Sequence, residues 1–197
     1  MMCYVTGMRI GFYQGDVLKL REDLAELRPT IMPSVPRLFN RFYDVMQSRM
    51  KELTGMKKRL ADWAVATKLA NLEKDGSVTH GLYDRLVFNK FKAILGGRVR
   101  KLVTGSAPIS KDVLGFLKIA FCCPILEGYG QTETTAAATV TVAEDATSGH
   151  VGGPVVCMEL KLVDVPEMNY FSTDEIDGKP HPRGEICFRG HNIIPGK

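Results

Sequence analysis

From Asp16 onward, apolar residues return at every third or fourth position: Val17, Leu18, Leu20, Leu24 and Leu27. That period predicts an amphipathic helix which Asp16 caps and Pro29 ends. Ahead of it, RIGFYQG (residues 9–15) is an apolar and aromatic run closed by a glycine, the pattern of a short strand. TIMPSV (residues 30–35) is a second strand candidate, and Pro36 suits the first position of the next helix, where a missing N–H costs nothing. The helical period continues to about Leu72, broken near Thr54 and Gly55, with Leu38, Phe39, Phe42, Val45, Met46 and Met50 on one stripe. A further helix is expected over Gly81 to Leu95. These stripes, and the sole tryptophan, Trp63, are expected in the core.

The period then switches. GGRVRKLVTGSAPIS predicts a strand over Val99–Val103, a loop holding Gly105 and Pro108, and a helix from Ser110 to about Phe121. CPILEGYG predicts the next strand, and it too ends in a glycine loop, which opens into Gln131–Ala138. Strand, glycine loop, helix, strand and glycine loop predict an α/β fold: a parallel sheet with flanking helices. Ligands bind at the carboxyl ends of strands in such sheets, where both loops must sit. After Gly149 the alternating runs VGGPVVCMELKLVDV and GEICFRG, separated by the polar segment Pro166–Arg183, predict a small antiparallel β unit near the C-terminus, its strands joined by a surface loop. The expected division is therefore an α/β part over 1–150 and a β part over 151–197.

Composition narrows the function. With 197 residues, 45% of them hydrophobic and 24% charged, the chain can bury a sizeable core and has the length of one domain. Its charge of +4 is spread out and no nucleic-acid-binding motif accompanies it, which argues against a nucleic-acid partner. The five cysteines form no CxxC pair and leave one over in any pairing, which suits a reducing compartment and a role as core fillers. The four histidines fall at no zinc-ligand spacing. No apolar run approaches the roughly 20 residues that span a bilayer, and the start of the chain lacks the pattern of a signal peptide.

EGYGQTETT (residues 127–135) carries the candidate chemistry. Gly128 and Gly130 let the backbone approach a flat ligand and turn N–H groups toward it. Tyr129 can lie against a ring face. Thr132, Thr134 and Thr135 are neutral donors suited to phosphate oxygens, and Glu133 is a hard oxygen ligand suited to phosphate-bound Mg²⁺. Nucleotide binding follows, with a plain helix cap as the alternative. The chain has no GxxxxGK[ST] and no GxGxxG after its first strand, so neither a P-loop NTPase nor a dinucleotide dehydrogenase is supported.

GYGQTE (128–133), TGSAPIS (104–110) and RGEICFRG (183–190) together resemble the adenylate-forming superfamily. VPRLFNRFYD (35–44), TSGHVGGP (147–154) and DVPEMNYFSTDE (164–175) are similar to its long-chain fatty acyl-CoA synthetases in particular. The resemblance covers nearly the whole chain. It implies a partial adenylate-forming domain in which ATP and a long-chain fatty acid give an acyl-adenylate, from which coenzyme A displaces AMP. It implies Thr132 on the α-phosphate, Glu133 on Mg²⁺ and Tyr129 on adenine, with Gly105, Ser106, Ala107 and Pro108 walling the base. Glu127, Gly128, Gly130 and Gln131 complete the nucleotide-binding stretch, the Gly128 backbone lying beside the acyl carboxylate. Ala136 to Ala138 are small enough to leave room for an acyl chain or to pack tightly.

The family's lysine-bearing phosphate loop and its mobile C-terminal domain with a catalytic lysine have no counterpart in these residues. The resemblance thus implies a piece of a larger parent, intracellular and held to the endoplasmic reticulum, mitochondrial outer membrane or peroxisome by segments outside this chain. The chain alone is then expected to be inactive. Two further readings are a stand-alone weak binder of adenine nucleotide or acyl chain, and a partner- or membrane-contacting surface on the helices between Pro36 and Leu95.

Overall fold

Residues 6–194 are described by the structure, a computed structural model. Helix α1 spans Leu20–Leu27 and begins later than the apolar period suggests. Asp16 does not cap it: its carboxylate accepts from the Leu18 N–H at 2.8 Å, making a turn ahead of the helix that leaves Val17 and Leu18 exposed. The helix stops at Arg28, whose φ of 49° is left-handed and whose N–H donates to the Leu24 carbonyl, one residue before Pro29.

The strand expected over residues 9–15 does not form, and this stretch has no regular structure. Aromatic and β-branched residues favour a strand only when a neighbour completes its ladder, and no described strand pairs with this one. Strand β1, Ile31–Ser34, does form and pairs in parallel with β2, Lys101–Thr104, in the register Ile31↔Lys101 to Ser34↔Thr104. Pro33 lacks the N–H that a second neighbour would use, which suits β1 to an edge.

Helix α2, Pro36–Lys51, buries Phe39, Met46 and Met50 and leaves Val45 exposed at the side of the stripe. Phe42 meets Phe121 edge-on with ring centres 6.0 Å apart, and Tyr43 meets Phe116 likewise at 5.3 Å. Helix α3, Gly55–Asp75, departs from the expected core. Its buried positions are Ala61, Ala64, Lys68 and Leu72, whereas Trp63 is 69% exposed. Met56, Leu60 and Trp63 form a second apolar stripe facing away from the first, so the helix has no single apolar face and pattern alone cannot say which side is buried.

Lys68 was hidden from the apolar pattern by its charge. It is fully buried, and its ammonium donates to Asp84 Oδ1, to the Ile119 carbonyl at 2.7 Å and to Cys122 Sγ at 3.2 Å, while lying 4.4 Å from the centre of the Phe88 ring. Asp84 opens a π-helical turn, Asp84–Phe88, within α4, the continuous helical stretch of residues 81–95. Burial alone would push the Asp84 carboxyl up; the hydrogen bonds from Lys68 and from the His80 N–H outweigh it and hold the group below its ordinary value of 3.8. Burial pushes the Cys122 thiol up to about 11, which keeps it protonated and inert beside the pair.

Helix α5, Lys111–Phe121, is buried along nearly its whole second half, and β3, Ile125–Tyr129, follows. The Leu102 N–H donates to the Pro124 carbonyl at 3.1 Å, which sets the entry to β3 beside β2. Lys118, again buried, donates to the carbonyls of Ala146 and Thr147 and to Ser148 Oγ at 3.1–3.2 Å. It thereby binds residues 142–150 to the helical part of the chain. Two compact units result: residues up to Leu126 with Val142–His150, and Glu127–Thr141 with the residues from Val151 on.

The second unit is antiparallel. The end of β3 pairs with β4, Thr139–Val140, and β4 with β5, Gly153–Pro154. Strands β6, Met158–Val163, and β9, Glu185–Gly190, pair along their full length, as the alternating runs predict. The segment between them is more ordered than a plain surface loop. It holds a 3₁₀ turn, Pro166–Met168, and a hairpin of β7, Glu175–Ile176, with β8, Lys179–Pro180. Arg183 fastens it, donating to Asp174 at 2.8 Å and to the Asn169 carbonyl at 3.2 Å. Of the cysteines expected in the core, Cys123 is buried and Cys122 half-buried, but Cys157 and Cys187 are exposed in this thin unit, which has too little interior to take them. Cys3 lies outside the described residues.

Candidate nucleotide site

The two glycine loops lie in different units, and each has its own geometry. In the first unit, Thr104 ends β2 buried, its hydroxyl without a hydrogen-bond partner among the described residues, and Gly105, Ser106, Ala107 and Pro108 follow as a loop before Ile109 returns to the core. Ser106 stands at φ 74°, a conformation that a side chain adopts at a cost. Ser106, Ala107 and Pro108 are exposed.

In the second unit, the backbone from Glu127 to Thr141 folds back on itself. The Glu127 N–H donates to Thr141 Oγ1 and the Thr141 N–H to the Glu127 carbonyl, both at 2.9 Å, and the Ala138 N–H reaches the Tyr129 carbonyl at 2.8 Å. This return leaves no room beside Gly130, where an added Cβ would lie 1.9 Å from the Ala136 carbonyl oxygen. Gly128 is less constrained, its added Cβ meeting the Thr139 carbonyl oxygen at 3.1 Å. Close backbone approach thus explains Gly130 without any ligand.

Between these strands Thr132–Thr134 is a single 3₁₀ turn, where the sequence left a helix or a loop open. Gln131 and Thr134 close it from both ends: the Gln131 N–H donates to Thr134 Oγ1 at 2.9 Å, and the Thr134 hydroxyl donates to the Gln131 carbonyl at 3.0 Å. Gln131 also donates through Nε2 to the Tyr129 hydroxyl at 2.8 Å. Two consecutive residues without glycine's freedom, Thr135 (φ 50°) and Ala136 (φ 85°), then reverse the chain. Each left-handed residue costs about 1–2 kcal/mol, so surrounding contacts must hold the reversal.

Of the three threonines singled out as phosphate donors, two are already engaged. Thr134 is buried in the turn, and the Thr135 hydroxyl donates to the Asn192 carbonyl at 2.7 Å. Thr132 and Glu133 are exposed, and among the described residues neither side chain has a hydrogen-bond or ion-pair partner. One hydroxyl and one hard carboxylate, adjacent and uncommitted, are therefore what the turn offers to solvent. No group of three or more His, Cys, Asp or Glu side chains that could hold a metal ion occurs among the described residues. A single carboxylate fits Mg²⁺, which keeps several waters and takes its other ligands from phosphates. Tyr129 is half-buried, its ring 6.1 Å from that of Phe188. Glu127 is buried, and its N–H and carbonyl both bond Thr141.

Across residues 1–196 the sequence fits the model of a family described as AMP-binding enzyme. The chain belongs to the AMP-binding enzyme family. The exposed Thr132–Glu133 pair follows the end of β3. Among curated relatives, the peroxisomal long chain acyl-CoA synthetase 7 of Arabidopsis thaliana is 50% identical over 190 residues, covering 96% of this chain and 26% of that protein. Human long-chain-fatty-acid–CoA ligase 6 is 47% identical over 193 residues, covering 98% and 26%. The chain thus spans about a quarter of the length of these relatives. Among solved structures, the A-PCP didomain of a carboxylic acid reductase from Segniliparus rugosus in complex with AMP matches with a TM-score of 0.60 and 26% identity, over 94% of this chain and 21% of that one. The mixed α/β fold of this AMP-binding family member is that of adenylate-forming domains.

Sequence reasoning missed Asn192. It lies just beyond β9, and its Nδ2 donates to the carbonyls of Thr134 at 2.8 Å and Ala137 at 3.1 Å. Only the similarity of the preceding RGEICFRG run to the family pointed toward this region.

Proposed function

We propose that this chain supplies the adenylate-binding part of an enzyme that activates long-chain fatty acids to acyl-CoA through an acyl-adenylate. The observation that carries it is the uncommitted Thr132–Glu133 pair, held out on a strained turn in a family member closely similar to long-chain acyl-CoA synthetases. In the first step a fatty-acid carboxylate oxygen bonds to the α-phosphorus of ATP, and the bond to the bridging oxygen of pyrophosphate breaks. In the second the thiol of coenzyme A, losing its proton, bonds to the acyl carbon and AMP leaves. The first step sets anion against anion, so it needs charge compensation and alignment more than covalent help.

Thr132 donates to an α-phosphate oxygen, and Glu133 holds Mg²⁺, which neutralises phosphate charge when bound. Tyr129 lies on the adenine face. Gly105, Ser106, Ala107 and Pro108 border the base, and the backbone of Glu127, Gly128, Gly130 and Gln131 completes the nucleotide-binding stretch. Residues 1–150 serve as part of the AMP-binding domain and 151–197 as the start of a β subdomain. No described helix is long and apolar enough to cross a membrane. We place the enzyme on an intracellular membrane, with the peroxisome favoured by the naming of the plant relative.

The test is AMP and pyrophosphate formation by the full natural chain containing these residues, with ATP, Mg²⁺, coenzyme A and a palmitate-length acid. Product that depends on the long-chain acid is expected. AMP formation that prefers an aromatic acid, or none with any acid, would overturn the proposal.

The ring of Tyr129 gives a finer test. Tyr129→Ala should raise the KM for ATP with little change in kcat, at the scale of a lost base–aromatic stack, about 1–3 kcal/mol. Tyr129→Phe should be nearly silent, because among the described residues the lost hydroxyl engages just the exposed Gln131 amide, at 2.8 Å. Equal effects of the two changes would assign the role to the hydroxyl and refute stacking.

A further inference from the structure

The costliest backbone in the second unit is the reversal at Thr135 and Ala136, immediately after the Thr132–Glu133 pair. Strained backbone persists only where its surroundings fix it. The contacts that fix this one come from a segment more than fifty residues downstream. Asn192 Nδ2 has two protons, and it spends them on the Thr134 and Ala137 carbonyls, the acceptors on either side of the strained pair. The Asn192 carbonyl accepts from the Thr135 hydroxyl, and two residues on, the Ile194 N–H donates to the Glu133 carbonyl at 2.9 Å. Four hydrogen bonds thus run between residues 133–137 and residues 192–194. Gly190 makes room for the arrangement: an added Cβ there would lie 2.4 Å from the Cys157 carbonyl oxygen and 2.9 Å from Asn192 Oδ1.

We propose that Asn192 is a positioning residue, a clamp that holds the reversal closed and thereby fixes where Thr132 and Glu133 present their side chains. It touches neither phosphate nor metal. It acts through the backbone of the turn, and the proposal rests on the reading that Thr132 and Glu133 serve adenylate formation. A primary amide supplies the required chemistry, because its planar NH₂ group bridges two carbonyls with both protons and adds no charge. Asn192→Asp keeps the size of the side chain and removes both donors.

Two measurements test the clamp. In the full natural chain containing these residues, Asn192→Ala and Asn192→Asp should speed hydrogen exchange at the Thr135, Ala136 and Ala138 amides about tenfold, the scale of losing one or two hydrogen bonds. Amides of α5 should be unchanged. In the full natural chain, both variants should lower kcat for fatty-acid-dependent pyrophosphate release about tenfold. They should also raise the Mg²⁺ concentration for half-maximal rate, and leave the KM for the fatty acid as it was. Adding Ala136→Gly, which removes the strain at φ 85°, should restore at least part of both losses. Exchange that is unchanged in both variants would overturn the proposal, as would faster exchange with unaltered kcat or the absence of any rescue by Ala136→Gly. A wild-type chain that releases no pyrophosphate defeats the functional reading instead, and the exchange result then decides the clamp by itself.

Discussion

Replacing Glu133 with alanine should reduce fatty-acid-dependent pyrophosphate release at least about a hundredfold, the scale of deleting one preorganised electrostatic group. The carboxylate is exposed and has no partner among the described residues, so removing it breaks no contact of the fold. The turn is closed by Gln131, Thr134 and Asn192, none of which needs the Glu133 side chain. Loss of rate without loss of melting temperature is therefore expected. Glu133→Gln should be nearly as damaging, because an amide keeps the shape but not the charge that a divalent cation requires. Thr132→Ala should cost less, since water can take the place of a neutral donor. Rates within a few-fold of wild type for Glu133→Ala would remove this residue from the metal site.

Lys68→Ala should be the most destabilising change in the first unit, by about 3–5 kcal/mol, the cost of stripping one partner from a buried ion pair. The loss has three parts on one atom: the Asp84 carboxylate loses its cation, and the Ile119 carbonyl and the Cys122 thiol lose a donor. Chemical denaturation would show a lower midpoint with an unchanged slope. Asp84→Asn in the same background should recover part of it by removing the orphaned charge. The pair also gives stability a pH dependence of known sign. Asp84 has a folded pKa below its ordinary 3.8, so its contribution is present above that value and disappears as pH falls through the folded one. Lys68→Ala should accordingly flatten the acid limb of the stability profile. A variant within about 1 kcal/mol of wild type would show that solvent or a neighbouring group replaces the cation.

Long periodic segments were legible in the sequence, and isolated choices within them were not. Helices α2, α3 and α5 and the β6–β9 pair follow from their apolar periods to within a few residues. Trp63 leaves the core where it was expected because α3 is apolar on two sides, and Lys68 goes unnoticed because a charged residue that buries its ammonium against three acceptors carries no apolar signal. The missing strand over residues 9–15 shows the limit of propensity, which describes a residue's fitness for a ladder and not the presence of the neighbour. At the candidate site, the residue types and their order were readable, including the placement of Thr132 and Glu133 after a strand. What sequence could not supply was how the threonines divide their hydroxyls. Thr134 and Thr135 close the turn and only Thr132 stays uncommitted, a division set by contacts to Gln131 and Asn192.

The embrace of residues 142–150 by Lys118 carries a consequence for biosynthesis. The three acceptors of its ammonium, at Ala146, Thr147 and Ser148, are made only after the whole Glu127–Thr141 stretch has left the ribosome's active centre. Helix α5 is therefore synthesised before three acceptors of its lysine exist, and at roughly 5–20 residues per second that interval lasts seconds. Until it ends, these three hydrogen bonds cannot form, so the final packing of that flank of α5 must wait for the chain to return. Chains released after Leu126 should then be readily cleaved by protease within α5, and released chains that extend well beyond His150 should resist.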